Sequence, residues 1–102
     1  MIRREVVYTP EAERDLVDLY DYLVGEASPA TAIAYMGRVR AWLSGFDMDS
    51  ERGTLRREVR PGLRTVGFER RITAAFMVDE TQVVILRVFY GGQDWRAVLR
   101  QD

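Results

Sequence analysis

The chain has no histidine, no cysteine and no lysine; all fifteen of its basic side chains are arginine. Each absence removes a chemistry. Side chains that exchange protons near neutral pH are mostly histidine, or cysteine and lysine with lowered pKa. Sites built on these are excluded, which leaves a carboxylate with a raised pKa, or the terminal amine, as the only proton acceptors. Lack of cysteine also rules out disulfides and thiolate nucleophiles, and fits a reducing compartment. The sequence shows no metal-ligand set and no cofactor motif. No apolar run approaches the ~20 residues that span a membrane, and the opening Met1-Ile2-Arg3-Arg4-Glu5 lacks the apolar stretch of a signal peptide. A cytoplasmic protein with no membrane partner is expected.

What is present describes an ordinary soluble fold. At 102 residues, 47% apolar and 30% charged, one domain over residues 1–102 is expected, with a real but shallow core. The net charge of −1 conceals an asymmetry. Residues 1–51 carry ten acids and five arginines, net −5, whereas residues 52–102 carry ten arginines and six acids, net +4. A basic face on the C-terminal half would suit an acidic protein partner or a phosphate backbone; a solvated mixed-charge surface is the plain alternative. Coding bias is the plain account of the all-arginine usage, although arginine is also the better bidentate ligand for carboxylate and phosphate.

Local signals give the order of elements. Arg4 to Tyr8 reads as a short strand. Thr9-Pro10 then opens a helix, with threonine as the capping oxygen, proline in the first turn, and Glu11 and Glu13 against the dipole. Ala12, Leu16, Leu19, Tyr20 and Leu23 form its apolar stripe, leaving Asp15, Asp18 and Asp21 as a solvated acidic face. Ser28-Pro29 repeats the start signal for a second helix, whose stripe is expected to use Ile33, Met36, Val39, Leu43 and Phe46, with Tyr35 and Trp42 at its margins. The short loop between them makes an αα-hairpin. Strand two spans Leu55 to Phe68, broken by Pro61-Gly62; strand three runs from Arg70 to Val78 and strand four from Val83 to Tyr90, ending at Gly91-Gly92. Asp94 caps a last turn, Trp95 to Leu99, able to fold back on the sheet.

Helices grouped together and strands grouped together predict an α+β fold of order β-α-α-β-β-β: a mainly antiparallel four-stranded sheet with the αα-hairpin packed on one face. Strand alternation places Ile72, Ala74, Phe76 and Val78, and Val84, Leu86 and Val88, under the helices. The opposite face then carries Thr73, Ala75 and Met77 with Val83, Ile85, Arg87 and Phe89. Two helices cover one face only, so this second face is expected to stay partly apolar, studded with arginine and open to a partner. Arg87 is the strongest functional candidate there, since a guanidinium among apolar residues is costly unless paired or used; an internal pair with Glu58 or Glu69 is its structural alternative.

Four segments together resemble a known family: YTPEAERDLVDLYDYL from Tyr8, Gly53 before strand two, RPGLR at Arg60 to Arg64, and LRVFYGGQD at Leu86 to Asp94. In order and over nearly the whole length, they resemble the RelE/ParE superfamily of toxins from type II toxin–antitoxin modules, closer to the ParE branch. The resemblance implies a toxin without cofactor or small-molecule substrate, held in a hetero-oligomer by a ParD-like antitoxin encoded beside it. ParE-type members act on DNA gyrase and trap it with broken DNA. RelE-type members cleave mRNA on the ribosome. RNA cleavage needs a proton acceptor, a leaving-group acid and charge stabilisation. Arg64 and Arg87 would supply the charge and Tyr90 a proton, but the histidine that many relatives carry after strand four is replaced by Tyr90-Gly91-Gly92. As a surface for target or antitoxin, the expected residues are Arg64, Arg71, Met77, Ile85, Arg87, Phe89 and Tyr90.

Overall fold

The computed structural model describes residues 2–101. Strand β1 (Glu5–Tyr8) leads into helix α1 (Pro10–Glu26) and helix α2 (Pro29–Ser44), and a 3-10 turn follows over Gly45–Asp47. The rest comprises β2 (Thr54–Leu55), β3 (Arg64–Phe68), β4 (Ile72–Val78), β5 (Gln82–Tyr90) and helix α3 (Trp95–Gln101). Both long helices start as their sequences dictate: the Thr9 hydroxyl accepts from the Ala12 N–H and the Ser28 hydroxyl from the Thr31 N–H, each with proline in the first turn.

The sheet has five strands in the order β1-β5-β4-β3-β2, with β1 parallel to β5 and every other pair antiparallel. It differs from the four-stranded expectation because the break at Pro61-Gly62 extends over residues 56–63 and divides the second strand into β2 and β3. Gly62 takes φ +80°, and Gly53, just before β2, takes φ +74° with its Cα so close to β3 that any Cβ would strike the Thr65 carbonyl. Only glycine tolerates both demands.

The main core lies between the hairpin and the sheet: Ala12, Leu16 and Leu19 of α1, Tyr35, Val39 and Leu43 of α2, then Phe46, Ile72, Ala74, Phe76, Val83, Ile85 and Val88. Trp42 stacks on Phe68 at 4.8 Å and meets Phe46 edge-on at 5.1 Å, so it packs rather than binds. The α2 stripe is rotated from the expected one. Ala32 and Tyr35 face inward, while Ile33 is 63% exposed. An alanine-rich helix with apolar residues on two sides leaves that choice to the sheet it lands on.

A bulge in β5 corrects the expected faces. Phe76 pairs with Ile85 and Ala75 with Arg87, which leaves Leu86 as an extra residue. One inserted residue reverses the alternation on one side of it. Val83 and Ile85 therefore lie under the helices with Val88, whereas Leu86 joins the second face. Ile85 is completely buried and is no surface residue.

The second face is not open either. Leu63, Ala75 and Phe89 are buried there beneath Leu99 of α3, with Val59, Leu86, Trp95 and Val98 packed around them. The last helix and the 56–63 segment supply the cover that the αα-hairpin does not.

Candidate functional site

β1 pairs only with residues 82–85, so the second half of β5 is left with an unpaired edge. α1 runs along that edge because Thr9-Pro10 turns the chain directly from strand to helix. The Thr9 N–H donates to the Ile85 carbonyl at 3.0 Å and its hydroxyl to the Leu86 carbonyl at 2.7 Å. Farther along α1, the Asp15 carboxylate accepts from the Val88 N–H at 2.8 Å. The same carboxylate accepts from Nε and Nη2 of Arg87 at 2.8 and 3.1 Å, and the guanidinium lies over the Phe89 ring at 5.4 Å. Side-chain exposures of 22% and 12% make this a largely shielded ion pair. Neither expected partner serves Arg87: Glu58 meets Arg96 at 3.6 Å and Glu69 meets Arg38 at 2.9 Å. Asp15 is likewise no member of a solvated acidic face, because the edge of β5 needs an acceptor where it lies.

Most of the C-terminal arginines are structural. Arg52 donates to the carbonyls of Asp49 and Gly45, Arg56 to the Thr65 hydroxyl, Arg60 to the Leu99 carbonyl, and Arg64 to the carbonyls of Glu51 and Arg52. Arg56 and Arg96 also flank the Trp95 ring. Among the described residues, Arg57, Arg70, Arg71 and Arg100 make no side-chain hydrogen bond or ion pair.

Two of those four border a large cleft, about 510 Å³, where the α1–α2 loop approaches the β3–β4 hairpin. Leu19, Leu23 and Ile72 form its apolar lining; Tyr22 and Tyr90 stand at one side with ring centroids 5.0 Å apart, tilted by 39°. The hairpin turn has Glu69 at φ 52° and Arg70 at φ 59°, closed by the Arg71 N–H donating to the Phe68 carbonyl. This two-residue turn normally uses asparagine and glycine. The bidentate pair between Arg38 and Glu69 fastens it to α2 and holds the Glu69 carboxyl below its ordinary pKa. Tyr35, 6% exposed, also lines the cleft; its hydroxyl is buried without a hydrogen-bond partner, and burial pushes its phenol pKa up. A smaller cleft of about 350 Å³ lies beside Arg87, Arg60 and Leu99.

Residues 6–95 match the family described as the ParE toxin of the type II toxin-antitoxin system parDE. The chain belongs to the ParE toxin family. No curated protein matches it. Among solved structures it is similar to a chain of the chromosomal ParDE toxin–antitoxin system from P. aeruginosa, with 26% identity, TM-score 0.76, and coverage of 86% of this chain and 96% of that one. It is also similar to a chain of the RelBE2 toxin–antitoxin complex from Mycobacterium tuberculosis, with 26% identity, TM-score 0.63, and coverage of 91% and 97%. The DinJ–YafQ complex from E. coli contains a chain of the same fold at 10% identity and TM-score 0.53, covering 87% and 93%. The chain is thus a type II toxin of the RelE/ParE superfamily with the α+β fold expected for it.

In this ParE-family chain the expected site residues do not converge. Arg71 and Tyr90 line the large cleft. Arg87 and Phe89 are on the second face beside α3; Met77 is on that face near Gly62, half-buried. Ile85 is core, and Arg64 holds the 51–52 segment. Sequence reasoning missed Tyr22, Tyr35 and Arg70 in the cleft. The signal for Arg70 was the two-residue interval between Phe68 and Arg71, a hairpin without glycine or asparagine; nothing in the sequence marks Tyr22 or Tyr35 as cleft residues.

Proposed function

We propose that this toxin inhibits DNA gyrase by binding it, has no catalytic site of its own, and is kept inactive in the cytoplasm by a ParD-like antitoxin. The Asp15–Arg87 pair carries the reading. An endoribonuclease on this chain would rely on Arg64, Arg87 and Tyr90 around one phosphate. Arg87 is instead neutralised by a carboxylate and Arg64 is taken up by two backbone carbonyls, while Tyr90 lies in the large cleft against Tyr22. With no histidine, lysine or cysteine to move the proton, binding is the activity these residues support. The family membership supports the same conclusion. The antitoxin is expected to lay a helix beside α1 and α2 and an extended segment along the sheet.

A supercoiling assay with purified gyrase tests the proposal. Inhibited supercoiling with gyrase-dependent DNA breaks, both relieved by the product of the neighbouring reading frame, is the expected result. Normal supercoiling together with new mRNA ends at the ribosomal A site would assign the chain to the endoribonucleases. Induction without growth arrest would leave a toxin-derived binding module.

A further inference from the structure

The large cleft combines three features that need not occur together. Its rim has two adjacent exposed guanidinium groups, Arg70 and Arg71, that make no side-chain hydrogen bond or ion pair among the described residues, although the Arg71 charge acts on Glu69 and Tyr35. Its lining includes Tyr35, whose hydroxyl is the one buried side-chain polar atom left without a hydrogen bond among those residues. A buried donor without an acceptor is unfavourable, and that deficit ends when an acceptor arrives. The turn presenting Arg70 and Arg71 is held in a left-handed backbone conformation by two residues that rarely adopt it. Such strain persists where the surroundings impose it, here through the Arg38–Glu69 pair, and it sets the backbone from which both arginine side chains extend.

The chemistry of an occupant follows. Two cations and a hydroxyl donor call for an anion. Leu19, Leu23 and Ile72 beside them call for an apolar group attached to it. Glu26 on the lining disfavours a dianionic phosphate. We infer that this cleft anchors an acidic segment of the antitoxin: one carboxylate bound between Arg70 and Arg71 and accepting from the Tyr35 hydroxyl, with a neighbouring aliphatic side chain on Leu19, Leu23 and Ile72. The exposed arginine side chains are the movable part of the site and admit the carboxylate to the phenol. The inference rests on the toxin–antitoxin reading above and adds the chemistry that selects the partner.

The probes are N-acetyl-leucyl-glutamate amide, its glutamine counterpart and inorganic phosphate, titrated into the full isotope-labelled chain. The glutamate probe is expected to shift the Leu23 and Ile72 methyl signals and to bind about tenfold or more tightly than the glutamine probe, as charge-assisted hydrogen bonds require. Arg70→Glu with Arg71→Glu removes the difference. Tyr35→Phe weakens binding while raising the melting temperature, an opposition that a purely structural tyrosine would not give. Equal affinity of the two peptides, shifts from phosphate alone, or no methyl shifts would overturn the anchor. Binding of the neighbouring gene's product separates the two levels. If the double charge reversal leaves that affinity unchanged, the anchor is wrong and the toxin reading stands. If the unaltered chain neither binds that product nor arrests growth, the toxin reading fails and the anchor with it.

Discussion

Asp15 and Arg87, separated by 72 positions in the chain, form a bidentate pair that also closes the open edge of β5, because the same carboxylate accepts from the Val88 N–H. Removing the carboxylate strands a backbone donor and a partly buried cation together. Asp15→Ala, which leaves no acceptor, is expected to destabilise the fold by about 2–3 kcal/mol, in line with hydrogen bonds to charged groups. For a domain of this size, that lowers the melting temperature by roughly 8–24 °C. A double-mutant cycle with Arg87→Gln, read by urea unfolding, is expected to show a coupling above ~1 kcal/mol. Additive effects would mean that the two side chains act separately.

The cover on the second face and the rotated α2 stripe can be tested as a pair. Leu99 is 2% exposed and Ile33 63% exposed, although both are large aliphatic residues on helices. Leu99→Ala is expected to cost about 2–4 kcal/mol and Ile33→Ser less than ~0.5 kcal/mol, both measured by chemical denaturation. Similar losses at both positions would contradict the packing described.

Acid sensitivity should be traceable to the β3–β4 hairpin. The hydrogen bond from Arg38 is the main cause of the lowered Glu69 pKa, against an ordinary value of 4.5. A depressed folded pKa contributes stability above the ordinary value, which is lost as pH falls through the folded one. Arg38→Ala is therefore expected to raise the Glu69 pKa toward 4.5 and to flatten this part of the stability profile below that pH. Carboxyl-carbon NMR titration measures the first effect and thermal unfolding against pH the second. An unmoved Glu69 titration would remove the ion pair from the account.

The helices were legible because their signals are local. Thr9-Pro10 and Ser28-Pro29 each place a hydroxyl and a proline where a helix start needs them, and both hydroxyls accept as expected. The β5 bulge was not legible. With Val83, Val84, Ile85 and Leu86 all aliphatic, no polar residue marks where alternation slips, so Ile85 was placed on the wrong face while Arg87 and Phe89 were placed correctly. Asp15 was misread for a different reason. Its acceptors' partners are on a strand late in the chain, and no pattern within α1 reports them. The supposed open face failed because Trp95, Val98 and Leu99 do fold back on the sheet and Val59 and Leu63 join them, cover that counting only the two long helices leaves out. The candidate surface therefore divided, with Arg71 and Tyr90 at one end of the sheet and Arg87 beyond its edge.

β1 gains its hydrogen-bonding partner from a strand that begins with Gln82 opposite Glu5, 77 positions later. β1 therefore has nowhere to dock on the ribosome until residues 82–85 have been made. The core under the helices depends on the same late strand through Val83, Ile85 and Val88. Synthesis itself thus imposes a delay: the native fold can assemble only once β5 has been made, 77 positions behind β1, and an antitoxin has that interval in which to be ready.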